Sequence, residues 1–236
     1  MLVKGLDISY DAYKVTPQWC RDRLEEGYTF LIVCLWAGVD SMPWAQRALR
    51  YAREAGMETS AYFSINGSHD NVQYHVDKAY LAAGSEWEHL DRVWVGCEIV
   101  NIEERHIAQA LNSVEAKGKS PGIYTAKWWW DGVFNNPTTF KDYPLWNAHY
   151  DNNPDIDFGN YPYGGWTTPY MKQYQGTTNL DGVSVDLDAM LKVPVNNMDE
   201  IVKALHVIWK SAELVEAFAK QTKDAVVEIK VALGIN

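Results

Sequence analysis

The sequence has few cysteines, few positive charges and no long apolar run. Its three cysteines, Cys20, Cys34 and Cys97, are an odd number without metal-ligand spacing. That argues against a disulfide framework or a structural zinc site, and they read as reduced thiols. Lysine and arginine number 21 against 31 acidic residues, a formal net charge of −10, and nowhere cluster. Nucleic acid and anionic membranes both recruit clustered cations, so neither is expected as a partner. The longest apolar stretch, FLIVCLWAG, is too short to span a bilayer, and MLVKGLDIS lacks the layout of a secretory signal. No membrane insertion is expected, and the chain reads as made in a cytoplasm without a Sec-type signal. There is no glycine-rich phosphate loop after the first strand-like run, and GVSVD at 182–186 does not supply a G-x-S-x-G elbow. His69 and His75, six apart, do not share a helix face and read as loop or solvent-facing side chains rather than metal ligands. No cofactor is expected.

Aromatic residues, by contrast, are plentiful, with 11 tryptophans and 14 tyrosines. Any one of them can fill a core. Several, however, fall in stretches that read as loops: Trp128, Trp129 and Trp130 in TAKWWWDG, and Trp166 in NYPYGGWTTPY. Aromatic faces in loops suit flat, weakly polar ligands such as sugar rings.

Strand-like runs (VKGLDIS, TFLIVCLW, METSAYFS, RVWVGCEI) alternate with helical patterns up to about residue 118. In PWAQRALRYAREAG the apolar Ala45, Ala48, Leu49 and Ala52 lie at helical spacing and Gly56 signals the end. SPGIYT, YPLWNAHY, YMKQYQG and GVSVDLD follow as strand candidates joined mostly by loops. Eight strands with clear helices only in the first half predict an irregular TIM-like (β/α) barrel over residues 1–195. From 196 to 236 the character changes. Ile201, Leu205, Ile208, Ala212 and Val215 open a run of apolar residues at alternating steps of four and three. This C-terminal helical extension is expected either to pack along the barrel or to join copies of the chain through residues 197–233. Isoleucine, valine and threonine at its d positions favour three or more strands.

In (β/α) barrels chemistry lies at the C-terminal face of the strands. Asp7, Glu98 and Asp186 are placed there, at the ends of the first, fourth and eighth predicted strands. Carboxylates flanking a cleft are what glycoside hydrolysis needs: a protonated acid for the leaving oxygen and a carboxylate for the oxocarbenium-like centre. Glu98, ending an otherwise apolar run, is the natural acid. Gly96, on the same face of the strand, is expected to leave a gap beside it.

Six stretches in order, GLDIS, the Glu98 strand end, PGIYTAKWWW, PLWNAHY, MKQYQG and GVSVDLD, resemble the muramidase lysozymes of glycoside hydrolase family 25 over about residues 4–192. The resemblance implies a flattened barrel that cleaves the β-1,4 bond between N-acetylmuramic acid and N-acetylglucosamine in peptidoglycan of the bacterial cell envelope. It suits a phage endolysin or tail-associated lysin. It assigns Asp7, Glu98 and Asp186 to catalysis and places Tyr62, Tyr124 and Trp146 along the sugar cleft; Trp128, His149, Gln173 and Asp188 complete the expected substrate-binding set. Two departures stand out. The family's Asp-x-Glu is here Gly96-Cys97-Glu98, so the aspartate that orients the substrate's N-acetyl group is missing, and CLWAG replaces a stretch that tends to carry Lys and Glu. The alternative reading is therefore a catalytically reduced, glycan-binding barrel in an oligomeric phage assembly. A third is an enzyme whose gap accepts a sugar without the acetamido group.

Overall fold

The computed structural model of the protein describes residues 1–67, 71–99, 101–159 and 161–192. The expected C-terminal helix, the association read from it and His69 lie outside these residues. Residues 1–192 fall in one compact unit. Among the described residues, eight strands close into a single barrel in sequence order: β1 (Leu2–Ile8), β2 (Tyr28–Ala37), β3 (Glu58–Ser64), β4 (Val93–Gly96), β5 (Pro121–Thr125), β6 (Leu145–Ala148), β7 (Met171–Leu180) and β8 (Val183–Leu191). Helices α1 (Pro17–Glu25), α2 (Ala45–Ala55), α3 (Val72–Ala83) and α4 (Glu104–Ala116) precede β5, and among the described residues only the short α5 (Lys127–Gly132) follows it. The irregular α/β barrel is thus as expected.

Local signals set these elements. Thr16 caps α1 by accepting from the Trp19 amide at 3.1 Å, and Pro17 opens the helix where its missing N–H costs nothing. In α2, Ala45, Ala48, Leu49 and Ala52 are all buried, and Gly56 ends the helix at φ 100°. His75 departs from expectation. It lies in α3, fully buried, and its Nδ1 accepts from Trp36 Nε1 at 2.9 Å. All three cysteines are buried and unbridged.

The last strand also departs. β1 to β7 run parallel, but β8 pairs antiparallel with both β7 and β1. Asp181-Gly182, at φ 52° and 82°, links β7 to β8 between the paired Leu180 and Val183. This is a two-residue Asp-Gly hairpin of the kind that positive φ at both positions favours. Asp186 is therefore not at a C-terminal strand end. It reaches the mouth because β8 is reversed, and it pairs directly with Asp7.

Two side-chain layers result. A large apolar cluster fills the space between sheet and helices, while Val3, Phe30, Ile32, Trp94, Trp146 and Met171 plug the barrel itself. Glycines make room for the aromatics of the plug. A Cβ on Gly5 would lie 2.2 Å from the Phe30 ring, and one on Gly122 would lie 2.4 Å from Trp94. Gly5→Ala should therefore destabilise by about 1–3 kcal/mol through overpacking. Urea denaturation checks this, and a variant as stable as the parent would contradict the packing described.

Candidate active site

Above the plug, strand alternation brings Asp7 (β1), Tyr62 (β3), Tyr124 (β5), Gln173 (β7), and Asp186 and Asp188 (β8) to the inner face of the barrel. At their centre is Gln173, itself only 2% exposed. Its Nε2 donates to Asp7 Oδ2 at 2.6 Å and to Asp186 Oδ2 at 2.9 Å. Its Oε1 accepts from the hydroxyls of Tyr124 and Tyr150, each at 2.8 Å. Both amide protons and both carbonyl lone pairs are used within the protein.

Asp7 is 5% exposed; burial, then the charge of Asp186, push its pKa up, against the hydrogen bonds of Gln173 and Asp188. Asp186 is only half-buried. Its pKa is also raised by burial, opposed by the Thr177 amide, which donates to Oδ1 at 2.5 Å. Register shifts in β7 on either side of Gln175 accompany φ 47° at Thr177, so a bulge aims this amide. Glu98 lies two residues beyond β4, not within it, and is half-buried. Burial pushes its pKa up to about 7, partly offset by Tyr124. Tyr124 has one hydroxyl proton. Gln173 Oε1 and Glu98 compete for it, and when it goes to Gln173 the ionised form of Glu98 loses that support.

The gap expected at Gly96 is narrow. Gly96 is buried, and a Cβ there would meet Ser64 Oγ at 3.1 Å and the Phe63 carbonyl oxygen at 3.2 Å. A side chain at this position requires its β3 neighbours to give by a few tenths of an ångström.

The remaining residues of the expected substrate-binding set divide. Trp146 is buried, its ring 4.3 Å from Tyr124 and 5.8 Å from Tyr62, and its Nε1 donates to Asp188 Oδ1 at 2.8 Å. It is part of the floor. Asp188 is fully buried and Gln173 is saturated, so neither is a ligand for substrate as built. Tyr62 lies half-buried at the same level, its hydroxyl interacting with the Cys34 thiol. His149 is exposed, with Nε2 3.4 Å from Asp151. Trp128 is 65% exposed, its ring stacked at 4.3 Å on Trp129, whereas Trp130 and Trp166 are core residues. Two residues escaped the sequence reading. Tyr150, beside His149, reaches Gln173, and the exposed Tyr10, just after β1, donates to Asp40 at 3.1 Å. Their only signal was adjacency to the stretches HY and DISY.

The loop carrying His149 and Tyr150 is tied down from behind. Lys172, fully buried on the outer face of β7, bonds Asp151 at 2.7 Å and Asp157 at 3.4 Å. Among the described residues no group of three or more His, Cys, Asp or Glu is arranged to hold a metal ion. An amide, rather than a cation, joins Asp7 to Asp186.

Gln173→Leu would strip donors from both carboxylates, at about 1–3 kcal/mol for an unsatisfied buried group. The loss should be greater at pH 8, where more of the pair is ionised and needs donors, than at pH 4. Denaturation at both pH values measures this; equal losses would mean that the amide does not carry the pair.

A family profile described as Lysozyme-like protein 1 matches residues 5–174. Counting factor 50 of Dictyostelium discoideum is 43% identical over 102 residues, which is 43% of this chain but only 33% of that protein. Probable GH family 25 lysozyme 2 of the same organism is 29% identical over 199 residues, covering 79% of this chain and 90% of its own length. Among solved structures, a family GH25 lysozyme from Aspergillus fumigatus superposes with TM-score 0.68 at 19% identity, over 82% of this chain and 96% of that one. The chain belongs to this lysozyme-like family and is a divergent member of the glycoside hydrolase family 25 lysozymes.

Proposed function

We propose that the barrel is a muramidase-like glycoside hydrolase acting on peptidoglycan, with Glu98 as general acid. The observation that carries this reading is the division of the mouth into two electrostatic halves. On one side stands a single carboxyl whose pKa is pushed up to about 7. On the other stand Asp7 and Asp186, bridged by Gln173. Asp7 is itself pushed up to about 8 by burial and the charge of Asp186, so within that pair the half-buried Asp186 is the group that ionises first, and the single carboxyl of Glu98 is left as proton donor. Asp186, half-buried and bonded by the Thr177 amide, is the carboxylate that meets the oxocarbenium-like centre. Asp7, behind it, shares its bridge.

Relatives named as GH family 25 lysozymes support the substrate class, and with it action at the bacterial cell envelope. The curated relatives cited are Dictyostelium discoideum proteins, and a phage origin forms no part of this proposal. The rival reading, a reduced barrel that binds glycan without cleaving it, draws on Gly96. With no aspartate at that position, an acetamido-orienting carboxylate is absent from β4, and any charge stabilisation falls to Asp186 and Asp7.

Incubation with purified peptidoglycan, followed by mass spectrometry for new reducing ends, separates the two. Glu98→Gln should lower cleavage by about a hundredfold or more, since it keeps shape and removes the proton. The parent rate should fall as pH rises through about 7, where Glu98 ionises. A raised carboxyl pKa means that the folded protein holds a proton the unfolded chain has lost, so Glu98 costs stability as pH climbs from its unfolded value toward 7. Glu98→Gln should therefore melt like the parent at pH 4 and above it at pH 8. Binding without new reducing ends would favour the rival.

Trp128 offers an exposed ring for a sugar face. Trp128→Ala should raise KM several-fold, consistent with about 1 kcal/mol for a stacking contact, with kcat little changed. An unchanged KM would remove Trp128 from the binding surface.

A further inference from the structure

Asp188 is an acid for which the proposed chemistry has no use, yet it occupies the driest position among the three aspartates. It is 0% exposed. One oxygen, Oδ1, accepts from Trp146 Nε1 at 2.8 Å. The other, Oδ2, is buried and meets no N–H or hydroxyl donor. Asp188 and Asp7 interact as a hydrogen-bonding carboxyl pair, and with Oδ1 taken by Trp146, Oδ2 is the oxygen left free for that contact. Two carboxyl groups can bond each other only if one keeps its proton. The charges acting on Asp188 are those of Asp7 and Asp186, both of its own sign. Gln173, its cross-strand neighbour on β7, spends its N–H groups on Asp7 and Asp186 instead. Glu98 acts on Asp7 from the other side of the mouth, again as a negative charge.

We propose that Asp188 works as a neutral carboxylic acid, a positioning residue that accepts from Trp146 on Oδ1 and donates the proton on Oδ2 to Asp7. The proton resides on Asp188 because Asp7 borders the mouth and has the Gln173 N–H to support a charge, whereas Asp188 has neither water nor a second donor. Burial and the two like charges hold its pKa well above the usual carboxylate range. The donated proton fixes the plane of Asp7 and helps it to ionise beside Asp186. A third buried aspartate thus adds a donor to the pair rather than a third negative charge. This role rests on the glycosidase reading only for its effect on rate; the protonation state stands independently.

Asparagine is the discriminating substitution, because its carbonyl can still accept from Trp146 and its amide can still donate to Asp7. Leucine has similar volume and can do neither. Asp188→Asn should fold, release peptidoglycan fragments within about threefold of the parent and keep the parent's pH profile, whereas Asp188→Leu should fall by about tenfold or more, the scale of one hydrogen bond to a charge. In the leucine variant the ionisation of Asp7, raised to about 8 in the parent, should move further upward, since Asp7 loses a donor that favours its ionised form. Infrared titration of the protein alone, without substrate, should show in the parent a protonated-carboxyl C=O band that persists above pH 8 and is missing from Asp188→Asn. Asparagine behaving like leucine, or leucine behaving like the parent, would overturn the positioning role. Absence of the persistent band in the parent would overturn the protonation state. Should the parent prove inactive on peptidoglycan, the infrared result still decides whether Asp188 is neutral, so the two readings fail separately.

Discussion

The amide of Gln173 is the interaction on which the mouth of this barrel depends. Asp7 and Asp186 face each other across β1 and β8, one buried and one half-buried, and two carboxyls so placed repel unless something bridges them. A primary amide can do this because it offers two N–H donors on one side and two lone pairs on the other. Here the donors take the carboxylates and the lone pairs take Tyr124 and Tyr150. Through Tyr124 the same group communicates with Glu98. Acid and carboxylate pair are thus parts of one hydrogen-bonded array anchored on four strands and two loops.

The array exists only because β8 runs backwards. In an all-parallel barrel Asp186, fourth in its strand, would sit nearer the closed end. The Asp181-Gly182 turn reverses the chain, and the antiparallel register sets Asp186 against Asp7 and Asp188 against Gly5. Gly5 in turn admits Phe30, so the aromatic plug and the acidic layer share a boundary.

Much of this was legible in the sequence. Alternating strand and helix patterns, the apolar stripe of α2 and the ordered stretches from GLDIS to GVSVDLD gave the barrel, its unequal halves and the three candidate carboxylates. The reversal of β8 was signalled by LDGV, a hairpin signature that was read instead as a loop between strands. At Gly96, spacing along a strand reports which face a residue shares but not what the neighbouring strand sends toward the same space, here Ser64. Gln173 and Asp188 are expected from the sequence as substrate-binding residues, whereas the structure gives Gln173 protein partners for both N–H groups and both lone pairs and buries Asp188 completely. Their saturation by protein partners is a property of packing that no local pattern encodes. His75 was missed for a related reason: a polar residue in a helical run looks exposed until its buried partner, Trp36, is known.

Lys172 carries a consequence for motion. Its ammonium is wholly enclosed, held by Asp151 and Asp157 of the loop that also bears Tyr150. Lifting that loop far enough to free Tyr150 from Gln173 would bring a buried cation into water in the same movement. The loop and the carboxylate bridge therefore share a common opening equilibrium, and the wetting of a lysine on the outside of the barrel reports the loosening of an amide on the inside.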